Sequence, residues 1–358
     1  MQRNKKFFKG QKIFLGIDVH AKSWEVAIAP EVGFVKRFSQ KPSAKELFEF
    51  LRKNYPEGEY KAVYESGFSG FSTYYALREV GIDCIIVNAA DVPTTQYEEV
   101  MKSDKVDAAK LARSLKAGLL KGIYILEKAY IDDRSVVRIR TTIRKQLSAY
   151  KTRVKHLLYF NGVELPERFS KKHTHWSRPF IVWLKNDVHL LSDTRESLNL
   201  LIRQVEALRG TLLEATRKLR KMSQTERYKR RHDLLRTIPG IGTIIAMSIL
   251  TEICDVKRFH NEKEFAAYLG LIPTSHSSGE KTAFGEKTFR GNKMLGPMII
   301  EAAWIAITRD EGLGAQYKKF RRTMEAQKAI VKIARKLSNI IFSVLKNEKG
   351  YVPYNTGN

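Results

Sequence analysis

Apolar and polar residues follow one rhythm over the first 125 positions and another after them. Short apolar runs of strand length dominate the first part. Lys12 to Ile17 is one, ended by Asp18; Trp24 to Ala29 is a second and Gly33 to Phe38 a third, with Pro30 and Gly33 in the turn between them. Ser43 then predicts an N-cap, with Glu46 three residues on and Leu47, Phe48, Phe50 and Leu51 at helical spacing. Tyr60 to Tyr64 predicts a fourth strand ended by Glu65, Phe71 to Val80 a helix closed by Gly81, and Asp83 to Val87 a fifth strand. Asp104 to Leu120 predicts another helix, with Val106, Ala109, Leu111, Ala112 and Leu115 on its apolar side. Short links between the first three strands imply an antiparallel meander. The later strand–helix alternation implies parallel additions.

From about residue 130 the strand-like runs vanish. Residues 134–160 and 194–222 are long, basic and helix-compatible. Val137, Ile143, Leu147, Val154 and Leu157 form one apolar stripe; Leu198, Leu201, Ile202, Val205 and Leu208 form another. Two such helices pair as a coiled-coil hairpin, within the chain or between chains. The stretch between them, with Asn161, Gly162, Pro166, His173, His175 and Pro179, reads as a mobile or inserted segment. Residues 226–345 read as a helix-rich region, and the polar tail after Lys346 as frayed. The predicted organisation is therefore an α/β domain over 1–128, a basic helical coiled-coil linker over 129–225, a mainly α domain over 226–345 and a tail over 346–358. Three strands, helix, strand, helix, strand, helix is the element order of the RNase-H-like (RuvC-like) fold.

Composition narrows the partners. Lys and Arg number 64 against 38 Asp and Glu, a formal charge of +26. Many basic side chains bind a polyanion by releasing its condensed counterions, so nucleic acid is the expected partner. A merely solubilising charge is the alternative. Hydrophobic residues make up 43% of the chain, enough for buried cores. Cys84 and Cys254 sit in apolar stretches and read as small buried hydrophobes, which implies a reducing cytoplasm and no zinc site. The basic amino terminus is followed by an apolar run broken by Asp18 and His20, so no signal peptide is expected, and no 18-residue apolar span predicts a membrane helix.

The acids of the first region carry the chemistry. Asp18 and Glu65 end two strands that lie side by side in such a sheet, so both project from one edge. Asp104 and Asp107 are three apart and share a helical face. Four converging carboxylates repel one another unless divalent cations neutralise them, and hard oxygen donors select Mg²⁺ or Mn²⁺. Two such ions can activate a nucleophile and stabilise the leaving oxygen of a phosphodiester. Taken singly, each acid has a plainer reading, as a turn residue, an N-cap or a partner of the helix dipole. Asp83, Asp91, Glu98 and Glu99 read as turn or surface acids.

Further on, Thr237-Ile-Pro-Gly-Ile-Gly-Thr followed by Ile244 and Ile245 resembles the turn of a helix-hairpin-helix unit. Gly240 and Gly242 would free backbone amides for a phosphate; an ordinary tight turn is the alternative. Ser277-Ser278-Gly279 sits in a predicted loop with Lys281, Lys287, Arg290 and Lys293 downstream. A serine that attacks phosphorus needs an exposed hydroxyl and cationic neighbours, but Ser-Gly loops are common and chemistry alone does not select this one.

Gly16-Ile-Asp-Val-His, Tyr64-Glu-Ser-Gly and Lys102-Ser-Asp-Lys-Val-Asp-Ala-Ala-Lys-Leu-Ala resemble the amino-terminal half of the DEDD insertion-sequence transposases. That family is described as bridge-RNA-guided recombinases, with pilin-gene invertases as relatives. Ile238-Pro-Gly-Ile-Gly, Tyr268-Leu-Gly-Leu-Ile-Pro, Ser277-Ser278-Gly279 and Lys287 to Asn292 resemble its carboxy-terminal half, so the likeness runs in order along nearly the whole chain. The resemblance implies a RuvC-like domain whose Asp18, Glu65, Asp104 and Asp107 bind Mg²⁺. It also implies a carboxy-terminal domain whose serine forms a covalent phosphoserine with DNA. By that likeness the serine is Ser278, with Ser277 as alternate and Ser275 third. It further implies composite sites between subunits, a structured non-coding RNA that chooses donor and target DNA, and dimers that pair into tetramers. Leu295 is followed by Gly296 where members often carry a basic residue, a departure that bears on one phosphate contact and not on the resemblance as a whole. Two rivals are a junction-resolving nuclease that uses water, and a non-catalytic nucleic-acid-binding protein. The absence of a Gly-x-x-x-x-Gly-Lys-Ser/Thr loop agrees with a reaction that needs no ATP.

Overall fold

The structure is a computed structural model that describes residues 8–96, 98, 103–278, 281–287 and 291–353, with backbone alone for 273–278 and 281–287. It divides into two compact units, 1–126 and 127–358.

The first unit is a five-stranded sheet with helices on both faces. Its strands are β1 (Lys12–Val19), β2 (Trp24–Pro30), β3 (Lys36–Gln40), β4 (Glu59–Glu65) and β5 (Asp83–Val87), in the order β3-β2-β1-β4-β5. β1 pairs antiparallel with β2, and β2 with β3, while β4 and β5 add in parallel. The third strand starts at Lys36 rather than Gly33: Glu31 to Gly33 form the bend, and Phe34 and Val35 follow it exposed and outside the pairing with β2.

Period-two alternation decides which residues face which layer. Ile13, Leu15 and Ile17 of β1, Val26 and Ile28 of β2, Tyr64 of β4 and Ile86 of β5 point to one side. There they meet α1 (Ala44–Asn54) and α2 (Ser72–Glu79) through Leu47, Leu51 and Leu77. The N-cap predicted at Ser43 is present: its hydroxyl accepts the Glu46 amide at 3.2 Å. Phe14, Ala27, Ala29, Val63 and Val87 point to the other side and pack under α3 (Asp104–Lys116) through Ala108, Leu111 and Ala112. That helix stops at Lys116 rather than Leu120. Gly118 there takes a left-handed φ of +69°, and the Leu119 amide returns to the Ser114 carbonyl at 3.1 Å.

The second unit is helical apart from one hairpin. Helices α4 (Lys128–Phe160) and α6 (Ser192–Ser223) pair within the chain as an antiparallel hairpin. Arg140, early in α4, bonds Thr216, late in α6; Val154 and Leu158 share a core with Leu198 and Ile202 at the other end. The segment between them, expected as mobile or inserted, is built into that core. Phe169 and α5 (Arg178–Asn186) supply Phe169, Phe180, Trp183 and Leu184 as an aromatic cap on the hairpin.

Val137 of α4 and Leu219 of α6 also enter the main core of the unit. They pack there with α7 (Lys229–Arg236), α8 (Thr243–Ile253), α9 (Glu262–Tyr268), α10 (Leu295–Arg309), α11 (Glu311–Arg321) and α12 (Ala326–Asn347). Residues 127–358 form the second compact unit. Within the stretch after Lys346, Tyr351 is tied down. The Tyr351 amide donates to Thr237 Oγ1 at 2.8 Å and its hydroxyl to the buried Asp310 at 2.8 Å. Both cysteines are buried, and burial pushes each thiol pKa up to about 12. Among the described residues, no helix is long and apolar enough to cross a membrane.

Candidate metal centre and nucleic-acid interface

One glycine sets the geometry of the acidic site. Gly16 lies midway along β1 on the face that α3 covers. A Cβ there would meet the Ala108 carbonyl oxygen at 2.0 Å and the Ala112 amide nitrogen at 2.4 Å. Helix backbone thus lies directly on strand backbone, which only glycine permits. Two residues on, the same face of β1 carries Asp18. Parallel pairing of Ile17 with Tyr64 places Asp18 beside Glu65 at one sheet edge. The first turn of α3 supplies Asp104 and Asp107, where the helix dipole favours anions.

The four acids form two groups. Asp18, Asp104 and His20 present ligand atoms that all lie within 4.8 Å of one another. His20 Nε2 is 3.1 Å from Asp18 Oδ2 and 3.3 Å from Asp104 Oδ2. Glu65 and Asp107 flank the ammonium of Lys110, at 3.8 Å and 3.0 Å. Lys110 itself is buried, so its charge is confined to this spot. Burial is the main cause that raises the Asp18 pKa above its ordinary value. His20 opposes the shift, and the negative charges of Asp104 and Asp107 add to it. Crowded carboxylates of this kind, with an imidazole among them, fit a divalent cation held by oxygen and nitrogen donors at roughly 2.0–2.3 Å.

His20 did not figure among the sequence-predicted ligands. Its signal is its place two residues beyond a strand-end aspartate. Of the acids set aside as turn or surface residues, Glu98 is buried, and its carboxylate accepts from the Thr95 amide at 2.9 Å and from Arg113 at 2.7 Å. Asp83 pairs with Arg78 and Asp91 is exposed; Glu99 lies outside the described residues.

The predicted serines lie on a β-hairpin, where the sequence reading had a loop in a helical region. Strand β6 (Pro273–Ser278) holds Ser275, Ser277 and Ser278, and β7 (Lys281–Lys287) begins and ends with the predicted lysines. Ser278 pairs with Lys281 and Ser277 with Thr282. Gly279 and Arg290 lie outside the described residues. Lys293 is exposed just before α10.

Gly240 has a structural requirement of its own: φ is +85° and a Cβ would meet the Ala302 carbonyl oxygen at 2.2 Å. Gly242 is open and caps α8. On α8, Glu252 is almost fully buried. It accepts from Arg138 Nε at 2.7 Å and Nη2 at 3.0 Å and from Asn292 Nδ2 at 3.1 Å, with Arg134 at 3.9 Å. Sequence reasoning passed over this acid, although a lone carboxylate in the apolar run Ile244–Ile253 requires a cation.

The basic residues of 134–155 and 214–231 divide in the same way. Arg134 and Arg138 serve Glu252, Arg227 serves Asp133, and Arg231 donates to the Cys254 carbonyl. Others crowd their own kind along the helical hairpin. Arg140 has its pKa lowered by burial and then by Arg144 and Arg220, and Lys151 by burial and then by Arg209 and Lys155. Clustered cations that lower one another's pKa are relieved by a polyanion.

Residues 15–161 match the family of IS110-type DEDD transposases, described as Transposase, and residues 232–318 match the Transposase IS116/IS110/IS902 family. The chain is similar to a putative transposase, y4qE, of Sinorhizobium fredii: 27% identical over 243 residues, 67% of this chain and 57% of the relative. It is similar to the transposase for insertion sequence element IS1533 of Leptospira borgpetersenii, 24% identical over 348 residues, 92% of this chain and 97% of the relative. A shorter stretch, 136 residues at 31% identity, is similar to the pilin gene-inverting protein of Moraxella bovis and covers 36% of this chain and 40% of that protein.

Proposed function

From a chain that belongs to the IS116/IS110/IS902 family of insertion-sequence transposases, we propose a recombinase that cuts and rejoins DNA through a phosphoserine on Ser278. Its acidic site is Asp18, Glu65, Asp104 and Asp107. The observation that carries this reading is the placement of Asp18 and Asp104, with His20, within 4.8 Å of one another at the edge of the sheet. The strand order β3-β2-β1-β4-β5, three antiparallel strands followed by two parallel ones, supports an RNase-H-like identity for the first unit.

Asp18 and Asp104 would hold Mg²⁺ or Mn²⁺, with Glu65 and Asp107 beside them. When bound, the ion supplies positive charge that polarises the scissile phosphate. Lys110 orients Glu65 and Asp107 and keeps their charge from driving the site apart. The serine hydroxyl gives up its proton as its oxygen bonds phosphorus, and the deoxyribose oxygen leaves and takes up a proton. The ester keeps the bond energy for rejoining, so the two steps balance without ATP. The acids and the serine act on the same phosphate, supplied by different copies of the chain in a dimer that pairs into a tetramer. A structured non-coding RNA selects donor and target DNA, and the cation clusters around Arg140 and Lys151 receive nucleic acid.

The test is metal-dependent strand cleavage of labelled DNA in the presence of the element's flanking RNA. Wild-type protein should cleave with Mg²⁺ and stop with chelator, and Asp104→Asn should lose at least about a hundredfold in rate. Equal cleavage by Asp104→Asn would remove the acids from the mechanism.

A further inference from the structure

We infer that His20 is a third ligand of the divalent ion, an inference that rests on the metal reading of Asp18 and Asp104. One imidazole nitrogen, Nε2, faces both carboxylates, 3.1 Å from Asp18 Oδ2 and 3.3 Å from Asp104 Oδ2. The three donors form the one group of this kind among the described residues. The ring is carried on a fixed bend. The His20 amide donates to the Ser23 carbonyl at 3.0 Å, and the pairing of Val19 with Trp24 closes the turn directly beneath it.

The rest of the centre places the ion on the same side. Glu65 and Asp107 flank the buried ammonium of Lys110, which repels a cation approaching them. Asp18 and Asp104 pair with His20 instead, and the ring nitrogen completes their donor set. A nitrogen donor changes selectivity. Mg²⁺ is held by oxygen ligands with little gain from imidazole, whereas Mn²⁺ gains more from a nitrogen donor. His20 therefore tunes the centre toward Mn²⁺.

The probe is Mn²⁺ added to tag-free, full-length protein, read by electron paramagnetic resonance. Pulsed measurements detect ¹⁴N bonded to the ion, and titration gives affinity. Wild type should bind Mn²⁺ with a directly coordinated ¹⁴N signal. His20→Gln should still bind, roughly tenfold or more weakly, without that signal, and its preference for Mn²⁺ over Mg²⁺ should shrink. His20→Asn guards against a local effect of the longer amide, and thermal melts of both variants confirm folding. Mn²⁺ bound to wild type with no ¹⁴N coupling, or with coupling that survives both substitutions, overturns the role of His20 and leaves the acidic site standing. Failure of wild type to bind Mn²⁺, with Asp18→Asn indistinguishable from it, overturns the metal reading itself.

Discussion

Substituting Gly16 by alanine adds one methyl group at the point on which the acidic site depends. The new Cβ would lie 2.0 Å from the Ala108 carbonyl oxygen and 2.4 Å from the Ala112 amide nitrogen, whereas real Cβ atoms essentially never come within 3.0 Å of such atoms. Both are backbone atoms inside a helix, so neither can swing aside, and α3 must part from β1 by at least about 1 Å. Overpacking of this kind costs about 1–3 kcal/mol. For a unit of 126 residues, each kcal/mol lowers the melting temperature by roughly 3–6 °C. The second effect is chemical. Asp104 and Asp107 ride on the displaced helix while Asp18 stays on the strand. A 1 Å misplacement costs catalysis about a hundredfold, and divalent-ion affinity should fall with it. Thermal melting with and without Mn²⁺, together with titration of the ion, reads both. A Gly16→Ala protein that melts and binds Mn²⁺ like wild type would refute the claim that direct backbone contact sets the site.

Three other outcomes follow from the same geometry. Lys110→Met removes the ammonium between Glu65 and Asp107; partly screened by solvent, this costs the metal-free protein about 1–3 kcal/mol, and added Mg²⁺ should restore more stability to the variant than to wild type in paired melts. Glu252→Ala leaves Arg134 and Arg138 without their buried carboxylate and takes one acceptor from Asn292, which keeps the Tyr268 hydroxyl; a loss of about 3 kcal/mol should appear as a calorimetric shift of roughly 6–12 °C for a unit of 232 residues, 127–358, while Mn²⁺ binding by the first unit is unchanged. The raised Asp18 pKa gives a pH dependence: the folded chain takes up this proton at a higher pH than the unfolded chain, whose value is near 3.8, so as pH falls through the folded pKa the metal-free fold gains stability. Divalent-ion affinity falls over the same range, and isothermal titration at a series of acidic pH values checks the sign.

Much of the first unit was legible in the sequence, because alternation and strand-end acids are local signals. Ile13, Leu15 and Ile17 against Phe14, Gly16 and Asp18 show the two faces of β1 directly, and Ser43 marks its helix start by its own hydrogen bond. The positions of Asp104 and Asp107 follow from α3 once the sheet is drawn. His20 was passed over because its one signal, a place two residues beyond a strand-end aspartate, does not by itself report the bend that turns its ring back onto Asp18 and Asp104. Glu252 was hidden because its partners are more than a hundred residues away, on α4.

The β6–β7 hairpin escaped a reading based on apolar period, since Thr274 to Ser278 offers no alternation of apolar and polar side chains. The stretch from Asn161 to Pro179 reads along the sequence as a mobile or inserted segment, yet Phe169 and the residues of α5 behind it bury an aromatic cluster. In each case the deciding contact is tertiary, and composition along the chain does not report it.

Under the proposed mechanism a serine of the carboxy-terminal unit bonds to DNA while the acids of the amino-terminal unit serve the same reaction. The most direct measurement is to incubate the protein, its flanking RNA and labelled DNA with Mg²⁺, denature, and map any DNA-linked peptide by mass spectrometry. The account predicts a phosphoserine adduct at Ser278 that is absent in Ser278→Ala and in Asp104→Asn. Cleaved DNA with free ends and no linked peptide would contradict it and point instead to attack by water.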